Sequence, residues 1–373
     1  MNVALLGYGT VGRGVDTIIR ERVPSLAVTR ILELPGHLTE DRMTSDYNQI
    51  LADDAIDVVV ECMGGIEPAH TYLAAALDAG KSVVTSNKAV VAAHFEEFAS
   101  RAEATGAHLL IEATCAGGVP WISQIQRVRR IDDVLSFKGI MNGTTNYIID
   151  RMVRDNMQFA EALTQAQRLG YAERDPSADI DGIDVKNKTI IAASVAFDVA
   201  CTHDLPVAGI RTLAKADLDL FATKGHSIKL LGMGLRRGSE YAVAVMPCAV
   251  PLASPEAAVP DNLNLVSLEG TTVGPLKFFG QGAGSLPTGN AIVQDLLDLQ
   301  AHITPTYDFG AGYAYDPSLI AGDFVLRTTA PVEGAGEFAP GYALLHGITA
   351  ERACAIWEEA RKTDADAFVV SLR

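Results

Sequence analysis

Residues 170–184 read Gly-Tyr-Ala-Glu-Arg-Asp-Pro-Ser-Ala-Asp-Ile-Asp-Gly-Ile-Asp, and Lys188 follows. Carboxylates and a lysine gathered this densely suit two tasks, holding a cationic group and moving a proton. A lysine can give and take a proton when burial or a second cation brings its ionisation towards neutrality. Pro176 and Gly182 mark the first part of the stretch as a loop. The apolar run 189–196 predicts a helix, on which Asp184 and Lys188 stand one turn apart on the same face. A solvated acidic loop with an ordinary ion pair would have the same spacing, and such a pair contributes only a few tenths of a kcal/mol. The elements around the stretch must decide between these readings.

The first of those elements opens the chain. Residues 2–6 form a short apolar strand that runs into Gly7-Tyr8-Gly9-Thr10-Val11-Gly12 and a helix-like stretch at 15–22. GxGxxG between a strand and a helix is a dinucleotide-binding fingerprint. The first glycine allows a tight turn, the second lets the backbone approach a pyrophosphate, and the third lets helix and strand pack closely. A second strand, 27–32, ends at Glu33, about where an acidic residue grips the ribose 2′-hydroxyl. A carboxylate there favours NAD over NADP, although Arg30 and Arg42 are near enough in sequence to offer a phosphate contact. Strands at 57–60, 81–85 and 108–112 alternate with helices at 68–79 and 89–105, the pattern of a doubly wound parallel sheet. Gly64, Ser86, Asn87, Lys88 and Glu112 fall at the carboxyl ends of strands, where such sheets bind ligands.

At 373 residues the chain has room for more than one domain, and 48% hydrophobic with 20% charged residues is a globular composition. A net charge of −16 argues against nucleic acid and anionic membrane surfaces as partners. No apolar run approaches a membrane span. The opening residues read as a strand and not as a signal peptide, and the five cysteines lack any CxxC spacing, so reduced thiols in the cytoplasm are expected, without a cysteine-based structural zinc.

Six segments taken together resemble the homoserine dehydrogenase family: 7–12, 85–88, 112–120, 139–147, 170–188 and the glycine-rich 280–288. They span about residues 1–300, and the Gly-Tyr-Ala-Glu…Asp-Pro…Asp…Asp…Lys run is the most specific. The resemblance implies reversible oxidation of L-homoserine to L-aspartate 4-semialdehyde with NAD or NADP. It implies Lys188 as the proton-transfer group and Lys88 as a second active-site lysine. Glu173, Asp179 and Asp184 match carboxylates that hold the substrate's amino group and order the site, while Thr144 and Tyr171 match substrate contacts. Gly170 and the Gly282-Ala283-Gly284 turn match residues beside the coenzyme. Glu112 with the backbone of Cys115, Gly117 and Val119 matches a loop for a monovalent cation, sodium or potassium. A homodimer is implied as well. Two departures stand out: Ser86 replaces an alanine, and Cys115 a valine. Two other readings are a relative that oxidises a different hydroxy amino acid and a nucleotide-binding sensor without turnover. The intact set of lysines and carboxylates argues against the sensor.

The expected organisation is an α/β chain. A Rossmann-type doubly wound domain (1–130, completed by 281–305) precedes an α+β substrate and dimerisation domain (131–280) and a divergent α/β appendage (306–373). A strand at 134–140, a hairpin of 226–235 with 240–249, and strands at 263–268 and 272–279 would build the second domain's sheet, and 285–299 a helix. Many family members carry a regulatory βαββαβ unit, the ACT domain, in the tail. Here only 324–328, 350–362 and 367–372 read as regular, which is too little for that unit.

Overall fold

A computed structural model describes residues 1–373. Strand β1 (Asn2–Leu6), helix α1 (Thr10–Arg22) and strand β2 (Ala27–Leu32) come first. Then follow β3 (Met43–Thr44), α2 (Tyr47–Leu51), β4 (Val58–Glu61), α3 (Ala69–Asp78), β5 (Ser82–Thr85), α4 (Lys88–Thr105), β6 (Leu109–Leu110) and α5 (Ile122–Arg129). The six strands form one parallel sheet in the order β3-β2-β1-β4-β5-β6. Such a sheet is covered on both faces, so its strands must be apolar throughout. Val58, Val59 and Val60 are accordingly fully buried, each stabilising the fold by about 1.5–3 kcal/mol. The strand order reverses beside β1, which has β2 on one side and β4 on the other. The crevice at the carboxyl ends there is the switch point where ligands sit in open α/β sheets.

Next come β7 (Val134–Ile140), α6 (Gly143–Arg154), α7 (Phe159–Arg168), α8 (Ser177–Ile180), α9 (Ile183–Phe197) and α10 (Lys215–Thr223). The hairpin β8 (His226–Arg237) and β9 (Glu240–Pro251) precedes β10 (Leu263–Gly270) and β11 (Gly274–Gln281). Helix α11 (Ser285–Gln300) then packs along α1. The two helices touch so closely that a Cβ on Gly14 would lie 2.3 Å from the Ser285 carbonyl oxygen. The tail supplies β12 (Ala314–Tyr315), β13 (Ala321–Arg327), β14 (Gly336–Ala339), β15 (Tyr342–Thr349), α12 (Ala350–Arg361) and β16 (Phe368–Leu372). Two compact units result. The first is 1–130 with 194–200 and 281–311; the second is 131–193 with 201–280 and 312–373.

The second unit is built on a mixed sheet in the order β11-β10-β7-β8-β9-β16-β13-β15-β14, with β12 beside β9. Two sequence expectations change here. The strand expected over 108–112 is only Leu109–Leu110, because Glu112 leaves it to serve another element. The tail is also more regular than its sequence suggests: β14 and β15 were not visible, being glycine-bearing and half-exposed. It has five strands in this sheet and a single helix, where an ACT unit has two helices. β16 joins the tail to β9 in parallel, and Trp357 Nε1 donates to the Ala367 carbonyl at 2.9 Å.

A buried carboxylate ties the tail down further. Asp217 on α10 is inaccessible to solvent and accepts from Arg327 Nε at 2.7 Å and Tyr342 Oη at 2.9 Å. Burial pushes its carboxyl up; the Ala214 N–H, Arg327 and Tyr342 pull the other way. Removing one partner of a buried pair strands the other. Arg327→Ala is therefore expected to lower stability by about 3 kcal/mol, seen as a lower urea midpoint with unchanged slope. An unchanged midpoint would show that this contact does not hold the tail.

Candidate active site

Around the end of β1 the glycine loop is built as its spacing requires. Gly7 has φ +93°, a left-handed conformation, and a Cβ on Gly12 would lie 2.3 Å from the Gly7 carbonyl oxygen. Around Gly9 nothing would meet a Cβ within 4 Å, which leaves room for a ligand beside the backbone. Glu33, at the end of β2, accepts from the Tyr8 N–H and the Leu34 N–H, both at 3.0 Å, so its carboxylate stands beside the loop. Ser285 Oγ donates to the Thr10 carbonyl at 2.6 Å, which brings the 282–284 turn to the same place. Open backbone at Gly9, a helix N-terminus and a carboxylate at the neighbouring strand end fit the pyrophosphate and ribose of a dinucleotide.

Glu61 organises the neighbouring strand ends. It is fully buried at the end of β4 and accepts from the Met63 N–H (2.7 Å), the Gly64 N–H (3.1 Å) and Thr85 Oγ1 (2.5 Å). Asn87 caps α4 by accepting from the Val90 N–H, and its Nδ2 donates to the Gly65 carbonyl at 2.6 Å. The loop at 62–65 and the 85–87 turn are thereby locked together. Lys88, half-buried, starts α4 at the carboxyl end of β5, and Ser86 lies beside it with Oγ near the Glu61 carbonyl (3.4 Å).

Glu112 does a related task on the far side of β5. Its carboxylate takes the Trp121 N–H (2.6 Å), the Ile122 N–H (3.1 Å) and the Ser123 N–H (2.7 Å), closing the N-terminus of α5. Burial pushes this carboxyl up, against the pull of the three N–H donors. Asp295 of α11 accepts from the Glu112 N–H at 3.0 Å, and complete burial followed by the charge of Glu112 holds its own carboxyl well above the usual range. Between Glu112 and α5 the loop carrying Cys115, Gly117 and Val119 turns through left-handed backbone at Ala116 and Gly117.

The second unit gathers a separate set of polar side chains. Asn142 caps α6 by accepting from the Thr145 N–H at 2.8 Å. Its Nδ2 donates to Asp179 Oδ1 (2.6 Å) and Asp184 Oδ2 (2.9 Å), so one amide holds two carboxylates. Lys188 Nζ donates to the same Asp184 oxygen at 2.8 Å and to the Met141 carbonyl at 2.7 Å. Asp184 and Lys188 are both buried, one turn apart on α9. Thr144 Oγ1 donates to the Tyr171 carbonyl at 2.5 Å, and the Tyr147 ring packs edge-on against Tyr171, fixing the loop that starts at Gly170 (φ +77°). Helix α6 is itself anchored from below. Lys229 of β8 donates to Asn146 Oδ1 at 2.7 Å and to the Val259 carbonyl at 2.8 Å, and burial lowers its ammonium to about 8.

The residues singled out in the sequence thus fall into two groups. Residues 7–12, Glu33, Gly64, Ser86, Asn87, Lys88 and 282–284 line the strand ends of the first unit, with Glu112, Cys115, Gly117 and Val119 in the adjoining loop. In the second unit Asp179, Asp184 and Lys188 are joined through Asn142 and Asp184, while Thr144 is bonded to Tyr171. Glu173 is not drawn into that hydrogen-bonded set: it is exposed, and its backbone carbonyl accepts from Gln167 Nε2 at 3.0 Å. Three organising residues were missed: Glu61, Asn142 and Asp295. Glu61 had a signal, an acid closing the apolar run Val-Val-Val. Asn142 had one too, a cap residue before Gly-Thr-Thr. Asp295 had none, since its partner lies 183 positions away.

The chain was compared with known proteins. A family model for the homoserine dehydrogenase NAD binding domain matches residues 7–112, and the homoserine dehydrogenase model matches 120–297. The homoserine dehydrogenase of Mycobacterium tuberculosis is 40% identical over 315 residues, covering 80% of this chain and 71% of that protein. That of Corynebacterium glutamicum is 37% identical over 316 residues, covering 80% and 71%. Among solved structures, a homoserine dehydrogenase from Thiobacillus denitrificans is similar with a TM-score of 0.86 at 29% identity, covering 100% of this chain and 98% of that one.

The buried Glu112–Asp295 contact has a consequence for stability. Asp295 holds a proton more tightly folded than unfolded, so stability falls as pH rises from the ordinary carboxylate range towards its folded value. Asp295→Asn removes that contribution. Between about pH 5 and about pH 8, the variant's denaturant midpoint should fall less than the wild type's; equal falls would show that Asp295 is ionised in the fold.

Proposed function

The chain belongs to the homoserine dehydrogenase family, and on that premise we propose how its residues carry out the reaction. The reaction is reversible oxidation of the hydroxyl of L-homoserine to the aldehyde of L-aspartate 4-semialdehyde. A nicotinamide coenzyme, when bound, supplies the hydride acceptor. The observation that supports this reading best is the Asp179–Asn142–Asp184–Lys188 cluster, a buried lysine with its nitrogen held by two partners. In oxidation Lys188 takes the hydroxyl proton as hydride leaves the same carbon. In reduction it returns a proton to the aldehyde oxygen as hydride arrives. Asp184 and the Met141 carbonyl fix the position of Nζ; Asn142 fixes Asp184. Asp179, half-buried on the same amide, holds the substrate's ammonium, with Glu173, Thr144 and Tyr171 completing the pocket. In the first unit, Lys88 at the carboxyl end of β5 is the lysine proposed for the nicotinamide side of the reaction.

The coenzyme reading favours NAD. Glu33 stands where it would accept from a ribose 2′-hydroxyl and repel a 2′-phosphate. Arg42, the cation nearest in kind to a phosphate ligand, is engaged by Asp16 through both terminal nitrogens at 2.9 Å and by Glu40. For a monovalent cation, the carbonyl oxygens of Cys115, Gly117 and Val119 are the proposed ligands, being hard oxygen donors. Glu112 completes the proposed set; its carboxylate already accepts from three N–H groups, which fix it beside that loop. The assembly is a homodimer in this reading. No helix is long and apolar enough to cross a membrane.

Two outcomes are expected. Lys188→Ala should lower kcat by at least about 100-fold, the usual contribution of a general acid or base, while coenzyme affinity is kept; wild-type turnover would sink the mechanism. With L-homoserine, kcat/KM measured for NAD should exceed that for NADP. The reverse order would mean that Arg42 or Arg30 turns to a 2′-phosphate and that Glu33 does not govern the choice.

A further inference from the structure

Away from the glycine loop, the first unit brings two histidine–glutamate pairs face to face. Glu67 and His70 stand three positions apart where α3 begins; His94 and Glu97 stand three apart on α4. Helix α4 breaks its regular geometry at His94 (φ −134°, ψ 23°), and the two imidazoles stack with centroids 4.0 Å apart. His70 Nε2 lies 3.0 Å from Glu97 Oε2, and His94 Nδ1 lies 3.2 Å from the same oxygen. On its other side His70 Nδ1 meets Glu67 Oε1 at 3.1 Å, while Arg101 Nε donates to Glu97 Oε1 at 3.0 Å.

We propose that His70 Nε2, His94 Nδ1 and Glu97 Oε2 form a binding site for one divalent transition-metal ion of the zinc class. His70, His94 and Glu97 each offer a ligand atom within 4.8 Å of the other two. Tetrahedral zinc with bonds of about 2.0–2.2 Å separates its ligand atoms by about 3.3 Å. Two of the three edges here, 3.0 and 3.2 Å, are already close to that. The outer partner is also in place. A ligating histidine almost always donates its other N–H to a carboxylate or carbonyl, which fixes the tautomer and aims the lone pair at the metal. Glu67 takes that position on His70, leaving Nε2 as the ligating nitrogen. Arg101 holds the other oxygen of Glu97 and so presents Oε2. Two imidazoles and one carboxylate suit zinc, cobalt or nickel over magnesium or calcium. All three side chains are partly exposed, at 24%, 29% and 35%, so an ion can enter and a water can complete its coordination. Bound there, the ion would cross-link α3 to α4. The segment leading into α3 is the 62–65 loop that Glu61 and Asn87 hold, so the ion would brace the coenzyme side of the fold.

The test is titration of the metal-free full-length chain with Zn²⁺ alone by calorimetry, and with Co²⁺ as a spectroscopic reporter. One ion per chain is expected, with the intense visible bands of four-coordinate Co²⁺ and a rise in melting temperature. His94→Gln and Glu97→Gln, made separately so that misfolding of one leaves the other informative, should each abolish these signals. Glu67→Gln should keep the site but weaken it by about 10–100-fold. Cys62 is the half-buried thiol that could compete for the same ion; Cys62→Ser should leave the stoichiometry and the Co²⁺ spectrum unchanged. No binding by the wild type, equal binding by a folded His94→Gln, or loss of the spectrum in Cys62→Ser would overturn the proposal.

Discussion

A buried ammonium must be matched by acceptors or the fold loses several kcal/mol. In the second unit Lys188 meets that demand with the Asp184 carboxylate and the Met141 carbonyl. Much of the surrounding structure follows. Asp184 is shared with Asn142, which also carries Asp179, so two carboxylates that would otherwise repel each other are held by one amide. Asn142 is at the same time the cap of α6, and α6 is pinned to β8 through Asn146 and Lys229. The position of the lysine nitrogen is thus set by the turn from strand β7 into α6 and by the face of α9, whose contacting residues lie 42 and 47 positions further on.

The first unit uses buried carboxylates differently. Glu61 gathers the N–H groups of the 62–65 loop and the Thr85 hydroxyl; Glu112 gathers the first N–H groups of α5. In each case an acid at a strand end satisfies backbone donors that burial would otherwise strand. The loops at the carboxyl edge of the sheet are therefore fixed by the protein's own hydrogen bonds. That is the preorganisation a coenzyme site needs.

What the sequence made legible was what depends on local pattern. The parallel strands were readable because burial on both faces demands runs such as Val58-Val59-Val60, and the glycine loop because its sterics permit so few residues. The Asp184–Lys188 pair was readable because helix periodicity fixes it. Contacts that cross the chain were not. Asn142 looks like a plain cap until Asp179 and Asp184 are folded onto it, and Asp295 is one more acid on an amphipathic helix until Glu112 arrives beside it. The strand expected to end at Glu112 stops at Leu110 because capping α5 recruits the carboxylate. In the tail, the glycines and half-exposed side chains of β14 and β15 erase the alternation that marks a strand, and only the pairing of β15 with β13 and of β14 with β15 reveals them.

The central claim is that the Lys188 amine itself carries the proton. Chemical rescue tests it most directly: turnover of L-homoserine by Lys188→Ala, measured against increasing concentrations of small primary amines of graded basicity. The account predicts a rate that rises with amine concentration and with amine basicity, while coenzyme binding stays constant. A variant that still binds coenzyme and homoserine but whose rate is indifferent to every amine would contradict it.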